Sequence, residues 1–333
     1  MEELQLIWGW QPALYLFLGG LGAGTAVVAG IAYLKYRNAA RSLVNGAMWV
    51  AVACLCAGLL LLVTELIAPL RGLMLWQSFS HFTSWMTFGA WVVFAAVVVF
   101  GCLALLTTPA VMRGIVRSSK RPPSCLLPGA NEPYDRVRAA LAVLSVVLGI
   151  GVAAYTGILL MSAPGVPLWN TPLLPCLFTV SALDTGVAAV ELMVVLGVRR
   201  GSAPSSLGRQ LTVAVLVLVV IETAVLAAFM VLAYMGNPLG GVESVSFAET
   251  AALSAALLVG GPLAPWFWVA FVLCALVVPG VSSALALVGK GGHGASACGA
   301  VSVLVGGCAL RFLVLLAGLH VDYVADAFLA VLG

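Results

Sequence analysis

The chain has very few charged residues. Asp, Glu, Lys and Arg make up 8% of its 333 residues, whereas a soluble domain carries about 25%. Hydrophobic residues make up 63%, and they lie in continuous runs rather than in the alternating pattern of a barrel strand. A helix needs about 20 apolar residues to cross a membrane. The sequence therefore predicts an all-α integral membrane protein and excludes a soluble domain.

Histidine is also scarce, and the cysteines lack the spacing of a metal site. Membrane-bound haem b needs two axial histidines within spans, but His293 lies in a loop and His320 at the end of the last run. The eight cysteines form no CxxC pair, whereas iron–sulfur ligands come in closely spaced runs. We expect no haem, no iron–sulfur cluster and no metal site in this chain, and no nucleic-acid partner.

The apolar runs predict eight transmembrane helices. The seventh is the least regular, because Gly260, Gly261, Pro262 and Pro265 interrupt the apolar stretch that begins near residue 248. We interpret 248–260 as an interfacial or re-entrant helix and expect Pro279 to kink the span that follows. The predicted spans are 12–34, 43–67, 82–107, 137–161, 172–197, 210–235, 262–289 and 296–319.

Basic residues predict the orientation of the protein. All of the 15 Lys and Arg residues except Arg71 and Arg311 fall in alternate loops or at the span ends that border them. Loops rich in Lys and Arg stay in the cytoplasm. Both termini are therefore expected outside, in a multi-pass protein of the bacterial cytoplasmic (inner) membrane.

A faint internal repeat relates the two halves of the sequence. The segment GGLGAG at 19–24 resembles SALDTG at 181–186, and both run inward from the outer surface. A parallel repeat of this kind predicts two four-helix bundles, residues 1–161 and 162–333. The short uncharged outer segment 165–172 joins them, and its Trp169 could be an aromatic anchor at the membrane surface or part of a docking edge for a partner.

Small residues thin one face of the first span. Gly20 and Gly24 have GxxxG spacing, which allows close approach of a neighbouring helix in lipid. Helix packing explains these glycines without any ligand. The alternative is that Gly19 and Gly20 leave room for a flat ligand, with Tyr15 about one turn nearer the aqueous edge.

Four ionisable residues lie within the spans of the second half. They are candidates for function because each is costly to insert in a membrane, by about 2.5–3.5 kcal/mol. Asp184 and Glu191 are seven residues apart and share one face of a helix. A pair between Arg311 and either Asp184 or Glu222 would reduce the insertion cost. The set Asp184, Glu191, Glu222 and Arg311 is therefore either a structural ion pair or a proton or ion relay.

A second polar group gathers at the predicted outer end of the first half. Because the spans alternate in direction, five residues fall in one layer: Tyr15, Glu65, His81, Trp85 and Tyr155. Hydrogen-bond donors and proton carriers of this kind suit the head group of a quinone, whose carbonyls must be bound and protonated. For Trp85 and Tyr155, the alternative is a belt of aromatic residues at the membrane interface.

Four segments resemble the NrfD/PsrC family, the membrane subunits of polysulfide- and nitrite-reductase-type complexes. The fourth segment is quite specific, and together the four are spread over both halves. They are LYLFLGGLGAG at 14–24, ELIAPLR at 65–71, SWMTFGAW at 84–91, and YTG at 155–157 followed by PLWNTP at 167–172.

The resemblance implies eight helices in two bundles without haem, and a site for quinone, menaquinone in particular, near the outer face of the first bundle. Glu65 matches the family's acidic residue and Tyr155 its quinone-facing tyrosine. Tyr15 stands where some relatives have a histidine, and His81 is expected to supply the proton transfer that tyrosine does not provide at neutral pH. The implied partners are an outer ferredoxin-like iron–sulfur subunit and a molybdopterin or multihaem catalytic subunit.

Two other functions remain open. A secondary transporter would explain the repeat and the buried charges, but it predicts broken helices at matching positions of both halves, whereas the breaks at 260–265 and at Pro279 lie only in the second half. A purely structural membrane anchor would need neither Glu65 nor His81 nor Tyr155.

Overall fold

The computed structural model describes residues 9–65, 85–118, 133–163, 165–197, 205–240 and 245–321, and every regular element in these ranges is helical. The helices are α1 (Trp10–Tyr36), α2 (Arg41–Glu65), α3 (Trp85–Thr107), α4 (Pro109–Ser118), α5 (Pro133–Met161), α6 (Leu173–Val195), α7 (Ser205–Tyr234), α8 (Val245–Val259), a π-helical segment (Trp266–Val277) that continues as α9 (Val278–Leu287), and α10 (His293–Leu316).

Seven stretches of the described residues are long and apolar enough to cross a membrane. The first is 55 residues long, Trp10–Thr64, and contains α1, a 3-10 turn at Arg37–Ala40 and α2. Arg37 has a φ of 48°, which is uncommon for a residue with a side chain, and α1 packs directly on α2. The prediction of an all-helical, multi-pass membrane protein is confirmed.

The run Trp266–Leu287 changes its hydrogen-bonding pattern next to a proline. It is π-helical as far as Val277 and α-helical from Val278, so Pro279 lies in the first turn of α9. Proline has no N–H group and is tolerated in a first helical turn. The apolar stretch before this run forms a separate helix, α8, as the break at 260–265 predicts.

The two halves of the protein meet where α1 crosses α6. A Cβ atom added to Gly24 would overlap the carbonyl group of Ala182, and one added to Gly186 would overlap the backbone at Gly24 and Thr25. The two helices therefore touch through their backbones. Glycine is required on both sides of this contact, because any side chain would separate the helices.

The helices of the second half repeat the neighbour relations of the first. Helix α1 packs on α2 and α5, and α6 packs on α7 and α10. Helix α3 lies between α2 and α5, just as the run Trp266–Leu287 lies between α7 and α10. Individual contacts repeat as well: Gly149 of α5 faces Ala23, and Gly307 of α10 faces Thr185, which lies 162 residues after Ala23 (185 − 23).

The segment between α5 and α6 is anchored inside the protein. The Trp169 side chain is 0% exposed, and its indole Nε1 donates a hydrogen bond of 2.8 Å to the carbonyl oxygen of Val314. Asn237, at the end of α7, donates through its side-chain amide to the carbonyl oxygens of Pro167 and Asn170. Trp169 is therefore not an anchor at the membrane surface; it fastens the linker to α10.

Candidate functional site

The ring of Tyr155 on α5 rests on Gly89 of α3. A Cβ atom added to Gly89 would fall within the phenol ring and beside its hydroxyl group. Tyr155 is only partly buried, so the glycine fixes the ring from one side and does not enclose it. Two of the four segments that carry the family resemblance, SWMTFGAW and YTG, meet at this contact.

The two residues after Tyr155 contact two further helices. The methyl carbon Cγ2 of Thr156 lies 3.7 Å from the position of a Cβ atom at Gly19 of α1. A Cβ atom at Gly157 would overlap Pro175 near the start of α6. Three consecutive residues of α5 thus determine its packing against α3, α1 and α6, and fix where the Tyr155 hydroxyl group lies.

Gly19 lies between α5 and α2. On the α2 side, a Cβ atom at Gly58 would lie 3.5 Å from the Tyr15 carbonyl oxygen and 3.9 Å from the Gly19 nitrogen. Tyr15 itself is partly buried and packs on the apolar core. The structure therefore places the first span's Tyr15 and Gly19 beside α2, and Gly19 also beside the YTG segment.

Gly20 faces another direction. A Cβ atom there would lie 3.2 Å from Nη2 of Arg311 and 3.3 Å from Cβ of Ala182. Gly20 is buried against α6 and α10, and the structure does not bring it together with Tyr155. Its small size instead makes room for the Arg311 guanidinium group.

Three of the predicted site residues cannot be placed in this geometry. The backbone of Glu65 ends α2 and that of Trp85 begins α3, but their side chains lie outside the described part of the protein. His81 lies wholly outside it. Their roles at the site remain predictions.

Arg311 is fully buried and is held by neutral groups. Its Nη1 donates to the Ser181 hydroxyl oxygen at 2.5 Å and to the Gly307 carbonyl oxygen at 3.0 Å. Its Nη2 donates to the Phe178 carbonyl oxygen at 3.2 Å, and the guanidinium carbon lies 4.9 Å from the centre of the Phe178 ring. Cation–π contacts of this kind stabilise a desolvated cation.

The expected direct ion pair does not form. Among the described residues, the one pair of oppositely charged atoms within 4 Å joins Arg37 to Asp135, far along the sequence from Arg311. The Ser181 hydroxyl, which accepts a hydrogen bond from Arg311, also interacts with the carboxyl group of Glu222. Ser181 is thus an intermediary between these two charged side chains.

The three acidic residues of the second half lie deep in the protein. Asp184 and Glu222 are each 1% exposed and Glu191 is 6% exposed. Both oxygens of Asp184 and Oε1 of Glu222 have no hydrogen-bond partner, whereas Glu191 accepts a hydrogen bond of 3.4 Å from Thr212. As predicted, Asp184 and Glu191 are on one helix, and α7 supplies Glu222.

The sequence analysis overlooked several residues at these sites. Gly89 was signalled only by its place within the aromatic segment 84–91, and Ser181 only by its place at the start of the repeated segment 181–186. Arg138 was assigned to a cytoplasmic loop, but its side chain is 0% exposed and its Nε donates to the Leu106 carbonyl oxygen. A count of charges cannot predict that a basic residue at a span end turns inward.

Comparison with known proteins identifies the family. The family described as "Polysulphide reductase, NrfD" matches residues 2–322. The C subunit of polysulfide reductase from Wolinella succinogenes is 31% identical over 94% of this chain and 94% of its own length. Protein NrfD of Escherichia coli K12 is 30% identical over 94% of this chain and 95% of its own length. The chain therefore belongs to the polysulphide reductase NrfD family.

Proposed function

We propose that this chain is the haem-free, quinone-reactive membrane subunit of a multi-subunit respiratory oxidoreductase. The observation that carries the proposal is the packing around Tyr155, where the first, third and fourth of the family's segments meet. Tyr155 rests on Gly89, and its neighbour Thr156 contacts Gly19. The position suits a flat head group, because α1, α2 and α3 all present glycine there and Tyr155 supplies a hydrogen-bond donor.

Each residue of the proposed site has a chemical role. The Tyr155 hydroxyl group donates a hydrogen bond to a carbonyl oxygen of the quinone. Glu65 and His81 exchange the protons that accompany oxidation or reduction of the head group. Tyr15 and Trp85 enclose the ring. Quinone, menaquinone in particular, is thus a bound substrate, and its redox chemistry supplies the electrons.

The electrons leave or enter through a partner. One relative is named as a lettered part of polysulfide reductase and another as NrfD, and the first name describes one polypeptide of a larger enzyme. By analogy, a ferredoxin-like iron–sulfur subunit docks on the outer face and connects this protein to a molybdopterin or multihaem catalytic subunit. The complex would reside in the bacterial inner membrane and serve anaerobic respiration.

The architecture that we propose has eight crossings. The 55-residue stretch Trp10–Thr64 counts as two, because α1 and α2 pack side by side across the turn at Arg37–Ala40. With both termini outside, residues 1–161 and 162–333 form two four-helix bundles related by a parallel repeat. The repeated neighbour relations of α1 and α6 support this arrangement.

The decisive test is quinol oxidation by the assembled complex. We expect Tyr155→Phe to lower kcat/KM about tenfold, because loss of one hydrogen bond costs about 1 kcal/mol. Glu65→Gln should lower it by about a hundredfold or more, as expected for loss of an acid–base group. Co-purification of the partner subunits shows whether each variant assembles.

Tyr234→Phe is the matched control. Tyr234 lies on another span, and its hydroxyl group donates to the Ala255 carbonyl oxygen over a long 3.5 Å; its removal should leave turnover unchanged. Full activity of assembled Tyr155→Phe and Glu65→Gln would instead show that the subunit is a structural anchor.

A further inference from the structure

The proposed quinone site leaves a buried acidic group unexplained. Asp184, Glu191 and Glu222 lie between α6 and α7, each less than a tenth exposed. Ionisable residues within spans are expensive and require a partner or a function. A group of acids is no site in itself, so the question is what their oxygen atoms bind.

Neutralisation of Arg311 does not account for them. The guanidinium group is bound by Ser181, two backbone carbonyls and an aromatic ring, and no described carboxylate oxygen lies within 4 Å of it. Glu222 reaches it only through Ser181. One acid is enough to balance the charge of Arg311 across this bridge, so Asp184 and Glu191 have no cation to neutralise.

Asp184 has the strongest need for a hydrogen atom. Both of its carboxyl oxygens are buried and without a hydrogen-bond partner, and Oε1 of Glu222 is in the same condition. The carboxyl groups of Glu222 and Glu191 are close enough for their charges to act on Asp184. Three negative charges at this depth would repel one another with no water to screen them. A bound proton removes one charge and supplies a donor.

Comparison with the first half shows that the polar group is an addition. In the proposed repeat, Gly19 and Gly22 of α1 correspond to Ser181 and Asp184 of α6 (181 − 19 = 162; 184 − 22 = 162). Gly58 of α2 contacts α1 beside Gly19, just as Glu222 of α7 approaches Ser181. The first half places small residues where the second half places acids, so the fold itself does not require them.

A row of polar groups leads from Asp184 towards the predicted cytoplasmic side. Glu191 lies seven residues further along α6, about 10 Å away along the helix axis, and accepts a hydrogen bond from Thr212 of α7. Four residues before Thr212, Gly208 has open space beside it, with no atom within 4 Å of where a Cβ atom would lie. Glu191 is therefore the acid closest along α6 to that side.

We propose that Asp184 and Glu222 form a buried proton-binding site in the second half, which exchanges its proton with the predicted cytoplasmic side through Glu191. Asp184 carries the proton, and Glu222 balances Arg311 through Ser181. On the side of α1, the groups that face α6 and Arg311 here are the uncharged Gly20 and Gly24. The site stands whether or not quinone binds at Tyr155.

Infrared spectroscopy of the purified complex without quinol tests the site directly. A protonated carboxylic acid has a carbonyl stretching band that a carboxylate lacks. We expect such a band at pH 7 in the wild type and its loss in Asp184→Asn, with assembly preserved because asparagine replaces a neutral acid. Asp135→Asn, which changes the acid paired with Arg37 and Tyr33 outside the buried group, should leave the band in place.

The route is tested by exchange into D2O. The Asp184-dependent band should shift as its proton is replaced, and Glu191→Gln should slow that shift about tenfold. An unchanged rate would overturn the route. A band that survives in Asp184→Asn would overturn the site, and so would a failure of Asp184→Asn to assemble, because that result would show Asp184 to be an ionised partner of Arg311. None of these measurements depends on quinol turnover.

Discussion

Tyr155 is held in place by the absence of a side chain opposite it. The phenol ring occupies the space that a Cβ atom of Gly89 would fill. The aromatic ring cannot turn aside without losing its contact with α3, so the hydroxyl group is aimed by packing alone. This makes Gly89 a positioning residue for the proposed quinone site.

A methyl group at position 89 should therefore disturb the site without touching the quinone. We expect Gly89→Ala to displace the Tyr155 ring and lower kcat/KM for quinol about tenfold, the effect of losing a hydrogen bond of about 1 kcal/mol. Gly101→Ala on the same helix is the control, because nothing lies within 4 Å of its new Cβ atom. In a Tyr155→Phe background, Gly89→Ala should cost little more; a full additional loss would contradict the positioning role.

Residue types were predictable, but the faces on which they lie were not. Tyr15, Gly19 and Tyr155 were correctly selected as residues at one end of the first half, since depth follows from counting along a helix. Gly20 was grouped with them, but it faces Arg311. The rotation of α1 is set by its contact with α6, a helix more than 130 residues away in sequence. Trp169 failed for a similar reason, because its binding site on α10 is made last.

At the scale of elements, the contact between α1 and α6 determines the rest. Gly24 and Gly186 bring the two backbones together, and each helix then contacts neighbours of its own half. The spans themselves were predictable from hydropathy, and the break at 260–265 and Pro279 marked the irregular seventh run. The π-helical pattern before Pro279 was not predictable, because it depends on the packing of Trp266–Val277 against α10.

Enlarging either glycine should destabilise the subunit. We expect Gly24→Ala or Gly186→Ala to lower stability by about 1–3 kcal/mol, the usual cost of overpacking, and to lower the thermal unfolding midpoint in detergent. Gly208→Ala on α7 has open space beside it and should leave the midpoint unchanged or raise it slightly. Equal midpoints for all three variants would show that the crossing tolerates separation.

At the scale of the whole molecule, the prediction still to be measured is orientation. Cys125 lies in the loop predicted to be cytoplasmic, and Glu243 in a loop predicted to be outside. In a background that lacks the other cysteines, a membrane-impermeant maleimide should label Cys125 only in inverted vesicles and Glu243→Cys only in intact spheroplasts. The reverse pattern would place the proposed quinone site on the cytoplasmic side.

The contact between Gly24 and Gly186 has a meaning beyond packing. In a symmetric dimer, a residue on the two-fold axis touches its own copy, so that one position serves both sides of the interface. Gly24 and Gly186 are equivalent positions of the proposed repeat (186 − 24 = 162), and they touch each other. The protein thus has the geometry of a homodimer in a single membrane whose two copies have become one polypeptide. Such a history allows one copy to keep a binding cleft while the other acquires charge.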